Sequence, residues 1–319
     1  MSGRMQALVV VVVMLAVAAA SKMFLHSGDP HVEVAAEALF YIAPGFPFTN
    51  SLLTMLVVDV VLIGLAFFAT RNIQQVPRGL QNIMEMVLEA LYNLFRNISP
   101  KFIDRAFPLV ATIFLYVLIS NWSGLVPGAT SIGGCVPKEQ ASAKIAMVQE
   151  GANAGSIQYM AAAEYDNPYT SCAPGYALIP FGRPPSTDLN FTFALGIISF
   201  LFFQFWGFKT LGIGYLSKFF NLQGIMSFVG IIEFISEIMK PIALALRLFG
   251  NVFAGEVLIA IIIFLVPLVV PMPIYGFEIF IGFIQAIVFA LLTMAFLSIA
   301  TTSHDHDDEH HGEAKGHAH

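Results

Sequence analysis

The sequence predicts an all-α polytopic membrane protein, and three observations carry that reading. Of 319 residues, 57% are hydrophobic and 11% are charged, where a soluble domain carries about 25% charged residues. Apolar stretches long enough to cross a bilayer recur along the chain. Basic residues cluster between some of these stretches and are sparse between others. The net charge of −6 says little about partners, because much of the acid lies in one tail. No basic stripe with interleaved aromatic residues is present, which argues against a nucleic-acid partner.

The elements follow in order. Residues 7–20 (ALVVVVVMLAVAAA) come after Arg4 and end in small residues before Ser21. That is the pattern of a signal peptide cut after Ala20, and it is shorter than the about 20 residues a spanning helix needs. The alternative is an uncleaved N-terminal anchor helix running on to Leu25. Residues 1–25 are set apart on either reading. Residues 26–50 are mixed and rich in proline and aromatics, as at an interface. Residues 51–70 span, with a lone Asp59 that either lines a channel or packs. Over 80–98, Met84, Val87, Leu88, Leu91, Phe95 and Ile98 recur at helical spacing, with Glu85, Glu89 and Asn93 on another face. That pattern predicts an amphipathic helix lying in the interface or packed on a bundle.

Residues 104–122 span again, and 123–187 read as a polar extracytoplasmic loop without clear periodicity. Residues 188–207 span, capped by Ser186, Thr187 or Asp188. Residues 224–266 carry a very long apolar helical pattern. At about 1.5 Å per residue it exceeds about 60 Å, twice the thickness of the hydrocarbon core. It must tilt strongly, break, or project into water. The Pro271-Met-Pro273 run is expected to turn the chain, and 274–301 span back. The expected architecture is therefore five core transmembrane helices, including a long tilted hairpin, plus one in-plane helix.

Arg71, Arg78, Arg96, Lys101 and Arg105 lie between the first and second spans, and Lys209 and Lys218 between the third and fourth. The long loop has only Lys138, Lys144 and Arg183. The positive-inside rule then places the short loops and the C-terminus in the cytoplasm and the long loop outside. The two cysteines, Cys135 and Cys172, share that loop. A disulfide is expected if the loop faces an oxidising compartment, with two unpaired thiols as the alternative. The tail 303–319 (SHDHDDEHHGEAKGHAH) could bind a transition metal, but a solvated tail explains it more simply. No metal site and no cofactor are expected.

One stretch stands out: LALRLFGNVFAGE, residues 244–256. Arg247 sits in apolar helix and cannot escape by losing its proton. An arginine at the bilayer centre costs from about 2.5–3.5 kcal/mol on insertion scales to about 10–17 in simulations. Such residues usually mark a pathway or a partner. At about 100° per residue, Glu233, Glu237, Lys240, Leu244, Arg247 and Asn251 share one face. Glu256 falls on the opposite face. On the returning helix Glu278 and Gln285 share a face. Glu256 and Glu278 then lie towards the outer surface, and Glu233 and Glu237 towards the cytoplasm.

Acids thus reach in from each side, with a non-titratable cation between them. Acids in apolar surroundings can relay protons near neutral pH. The arginine blocks hopping straight through and attracts a carboxylate on a passing partner, by roughly 4 kcal/mol at 4 Å and an effective dielectric of 20. The plain structural alternative is a packing salt bridge from Arg247 to Glu233 or Glu237. Lys240 could instead pair with Glu237.

Lys240-Pro241, then LALRLFGNVFAGE, then GFEIFIGFIQAIVFALLTMAFLSIA (276–300) resemble subunit a of the F-type ATP synthase. PRGLQNIMEMVLEALYN (77–93), NWSGLVPG (121–128) and STDLNFTFAL (186–195) resemble further signatures of that family in the same order. The resemblance covers about residues 45–302, and it frames residues 26–302 as one membrane domain. It implies that Arg247 faces the carboxylates of a rotating c-ring. It implies that Asn251, Glu256, Glu278 and Gln285 form a half-channel open to the outside, helped by Asn121. Glu233 would stand near the cytoplasmic half-channel, and Asp188 and Asn190 at the polar start of the helix before the long pair.

The implied function is a non-catalytic stator channel, with the c-ring, b-type peripheral stalk subunits and the bilayer as partners. The implied location is an energy-coupling membrane, as in the bacterial inner membrane. Neither GxxxxGK[ST] nor GxGxxG before a helix occurs, so ATP chemistry would belong to partner subunits. Two features depart from the family: many relatives carry His at one of the positions held here by Glu256 and Glu278, and the 123–187 loop is longer than the family core. A self-contained ion channel or transporter, a membrane scaffold, and an Na+-coupled form of the same machine are the rival readings. No internal repeat supports a transporter.

Overall fold

The computed structural model describes Met5 and residues 36–43, 46–126, 132–137, 176–212, 214–217, 225–265 and 270–302. The 1–25 segment beyond Met5, the Cys135–Cys172 pairing, most of the 123–187 loop and the tail from 303 lie outside these.

Among the described residues, five helices are long and apolar enough to cross a membrane. They are α1 (Asn50–Thr70), α3 (Ile103–Ser123), α4 (Leu189–Leu211), α6 (Ile225–Leu265) and α7 (Pro271–Thr301). Two shorter α-helices among the described residues are α2 (Leu80–Arg96) and α5 (Gly214–Ser217), with a 3-10 turn at Pro185–Thr187. The chain is an all-α multi-pass membrane protein.

α1 shows why the solvent must be lipid. Thr49 caps it, its hydroxyl accepting from the Leu52 N–H at 3.2 Å. Its buried positions are Asn50, Ser51, Thr54, Val58 and Ala69, whereas Val60 and Ile63 are 70% and 69% exposed. Apolar side chains facing out around a partly polar interior are stable in hydrocarbon and not in water.

α2 is amphipathic, as its spacing predicts. Gly79, in the left-handed region at φ 60°, precedes it. Leu91 and Phe95 are buried, Val87, Tyr92 and Ile98 pack beside them, and Glu85, Glu89 and Asn93 are exposed.

The core lies among the remaining long helices. Val110, Phe114 and Val117 of α3 meet Phe289, Ala290 and Met294 of α7, with Phe203 of α4 and Leu244 and Leu248 of α6 in the same cluster. α4 crosses α6 at Gly196, where a Cβ would stand 2.8 Å from the Pro241 carbonyl oxygen. Only glycine allows that approach.

α6 does not break. It runs 41 residues through Pro241, so its length is taken up by tilt or projection. The expected turn at Pro271–Pro273 is corrected: α7 begins at Pro271, with proline in its first turn. The missing proline N–H is harmless there, because first-turn donors have no intrahelical acceptor.

Four short strands were not expected. β1 (Ala38–Ala43) pairs antiparallel with β2 (Phe46–Thr49), and β3 (Gly133–Pro137) with β4 (Tyr176–Pro180). The segment between residues 123 and 187 is therefore not wholly irregular. Runs of four to six residues with Gly and Pro show no alternation that a sequence reading can recognise.

Candidate functional site

α6 and α7 run antiparallel, and their polar residues meet near the start of α7. The Asn251 amide donates to the Gln285 side-chain oxygen at 2.7 Å. Gln285, Gly282 and Glu278 lie at i, i−3 and i−7 and so share one face of α7. Asn121 of α3 closes that face, its amide donating to the Gly282 carbonyl at 3.0 Å. Trp122 donates to the Ile279 carbonyl at 3.1 Å. Glu278 is buried, and its carboxylate rests on the Cα of Gly255, where any Cβ would collide with it. Gly255 precedes Glu256, so α6 and α7 bring the two acids to neighbouring positions. Asn121, Asn251, Glu278 and Gln285 form one lateral cluster, and Glu256 follows Gly255 at its edge.

Glu256 turns away from Arg247, as the helical count requires, towards the turn at Pro185–Thr187. Arg183 waits there, only 4% exposed, with Nε 3.9 Å from Glu256 Oε2. The same Nε donates to the Thr187 hydroxyl at 3.1 Å. The Arg183 backbone N–H donates to the Thr54 hydroxyl of α1 at 3.1 Å. Sequence reasoning counted Arg183 as a loop cation and missed this. The available signal was its place in Arg183-Pro-Pro-Ser-Thr-Asp188, where two prolines stiffen the approach to a helix cap.

Towards the other end of α6, Glu237 and Lys240 form an ion pair. Lys240 lies over the rings of Phe203 and Phe296, 5.8 and 5.4 Å from their centroids. Glu233 is half-buried one turn earlier. Tyr215 of α5 is fully buried and donates to Gln204. Burial, then the charges of Glu237 and Glu233, hold its phenol above the ordinary range. Tyr215 and Gln204 were also missed, because α5 is one short turn. Asp59 lies beside Tyr116 of α3, apart from both clusters.

Arg247 belongs to neither cluster. It is exposed on α6 and makes no ion pair or hydrogen bond with any described residue. Ala243, Gly250 and Ala254, at i−4, i+3 and i+7, are exposed beside it, and nothing lies within 4 Å of a Cβ placed on Gly250. The cation therefore stands on a smooth face. Among the described residues no group of three or more His, Cys, Asp or Glu side chains could hold a metal ion.

The family model for the ATP synthase A chain matches residues 52–298. The chain is 32% identical over 280 residues to an ATP synthase subunit a of Gloeobacter violaceus, covering 88% of this chain and 94% of the relative. It is 29% identical over 269 residues to an ATP synthase subunit a of Moorella thermoacetica, covering 84% and 96%.

Proposed function

The chain belongs to the ATP synthase A chain family, and on that premise we propose that it is the stator proton channel of a rotary F-type ATP synthase. Its membrane domain, residues 26–302, offers two offset half-channels to a ring of c subunits. Protons enter from outside past Glu278 and Glu256, with Asn121, Asn251 and Gln285 lining the path. They load a ring carboxylate, travel with the ring, and leave by the cytoplasmic side near Glu233. Moving each charge through 100 mV releases about 2.3 kcal/mol, delivered as torque. The subunit is non-catalytic. Its partners are the c-ring and b-type stalk subunits in a bacterial inner membrane, with the C-terminus cytoplasmic.

One observation carries this reading. Arg247 is a permanent cation, exposed on an apolar helix face and unpaired within the described residues. Left against lipid it would be costly. An anionic partner sliding along that face removes the cost, and the small residues around Arg247 let it approach closely. The packing alternative needs Glu233 or Glu237 on Arg247; Glu237 is engaged by Lys240 instead, and neither acid pairs with Arg247 among the described residues.

The test is ATP-driven pumping and passive proton conductance of the whole complex in proteoliposomes, wild type against Arg247→Ala. Lost pumping with a raised leak in an assembled complex is expected. Pumping at the wild-type rate would refute the separator role.

A further inference from the structure

We propose that Arg183 is a positioning residue for proton transfer, a second fixed cation that holds the Glu256 carboxylate in the outer path. The inference rests on the reading of Glu256 as a relay acid.

A buried guanidinium cannot neutralise itself, so its burial must be offset by partners. Arg183 is anchored from several directions. Its backbone N–H binds Thr54 of α1, and its Nε binds Thr187. The Thr187 hydroxyl is itself directed by the Pro184 carbonyl at 2.8 Å. Pro184 packs against Gly124 at the end of α3, where a Cβ would strike the proline ring. Two consecutive prolines fix φ after Arg183. The cation is thus set by α1, α3 and a rigid turn, and presented to α6.

The pair is loose in a telling way. Charge-assisted bonds close to about 2.7–2.9 Å, yet Arg183 Nε and Glu256 Oε2 are 3.9 Å apart. Glu256 Oε2 is buried and accepts no hydrogen bond from any described residue. A closed bidentate bridge would take both carboxylate oxygens out of use. This arrangement keeps the carboxylate within the arginine's field without a closed bridge, and Oε2 accepts no hydrogen bond from a described residue. Thr187 flanks the same carboxylate. Without the cation, Glu256 is free to rotate away from the path, and misplacement by about 1 Å can cost up to about 100-fold in transfer.

The test uses the whole complex in proteoliposomes, with ATP-driven pumping per assembled complex as the readout. Arg183→Gln should lower pumping about tenfold, and Arg183→Lys, which keeps the charge, should recover most of it. Thr187→Val keeps the charge but removes the acceptor that orients Nε, and should lower pumping about threefold. It carries the test if Arg183→Gln does not assemble.

The decisive measurement is coupling with Glu256. In a Glu256→Asp background the carboxylate is withdrawn by one methylene, and Arg183→Gln or Thr187→Val should cost less than about twofold more. Full additivity would overturn the proposal and leave Arg183 as a brace for the turn. So would wild-type pumping in both Arg183→Gln and Thr187→Val. Arg247→Ala and Glu256→Asp run in parallel separate the two ideas. If both pump normally, the proton-channel reading fails. If they are impaired while the Arg183 variants are not, only the present inference fails.

Discussion

Gly255 offers a test of the outer cluster that alters no charge. A Cβ there would collide with the Cδ and both oxygens of Glu278. The obstacle is the far end of a flexible side chain, so α6 and α7 need not part. To regain van der Waals separation of about 3.5 Å, the carboxylate must retreat by at least about 1 Å. An off-rotamer side chain costs about 0.5–1.5 kcal/mol, and overpacking typically about 1–3 kcal/mol. Gly255→Ala should therefore assemble at near wild-type levels. Transfer is the sensitive quantity, since a displacement of about 1 Å costs up to about 100-fold. ATP-driven pumping should fall about ten- to 100-fold on that basis. Glu278→Asp in the same chain shortens the side chain and should restore part of the loss. Gly276→Ala, on α7 two residues from Glu278, meets nothing within 4 Å and serves as the control. If Gly255→Ala pumps like Gly276→Ala, Glu278 is not held in the path by this contact. A failure to assemble would show that the helices shift rather than the side chain.

Three further outcomes follow from other contacts. Lys240→Met leaves Glu237, 3% exposed, without its cation, a loss of about 3–5 kcal/mol. Thermal unfolding of the solubilised complex should show it, and Glu237→Leu in the same chain should reverse most of it; no recovery refutes the pairing. Tyr92 donates to Asp104 at 2.7 Å, and that bond chiefly holds its phenol above the ordinary value of 10.0. What the bond adds to docking α2 on α3 is complete below pH 10 and is lost as pH rises through the raised value. A phenolate absorbance titration should show one tyrosine moving to lower pH in Asp104→Asn, and superimposed curves would contradict this. Gly212 ends α4 at φ 59°, so Gly212→Ala should destabilise by about 1–2 kcal/mol, whereas an unchanged melting temperature would mean the turn relaxes without strain.

What the sequence could show depended on the distance over which each feature is decided. Spans and the amphipathic helix are local, and their periods read through to the structure within a few residues. That Asn251 and Gln285 belong together was implied by the family resemblance, and the antiparallel run of α6 and α7 is what brings their side chains into contact. Glu256 facing away from Arg247 followed from nine residues at about 100° each. Arg183 could not be found this way. Its place is set by Thr54, Thr187 and Glu256, and by Gly124 against Pro184, which belong to four separate parts of the chain, and no period links them. The same residue that counts towards an outside loop under the positive-inside rule is, in the fold, a buried cation beside Glu256.

That difference bears on function. Arg247 and Arg183 are both permanent cations, yet one is exposed and the other 4% exposed with Thr187 and Glu256 beside its guanidinium. An exposed, unpaired charge can meet a succession of moving anions. A buried charge fixed by α1, α3 and a proline turn can only hold one acid in place. On the proposed reading, handing protons from a static path to a moving ring uses both kinds of cation. The exposed one belongs at the sliding face and the fixed one behind it. Arg183→Gln should therefore slow loading without opening a leak, whereas Arg247→Ala opens one. Equal passive leaks in the two variants would contradict that division of labour.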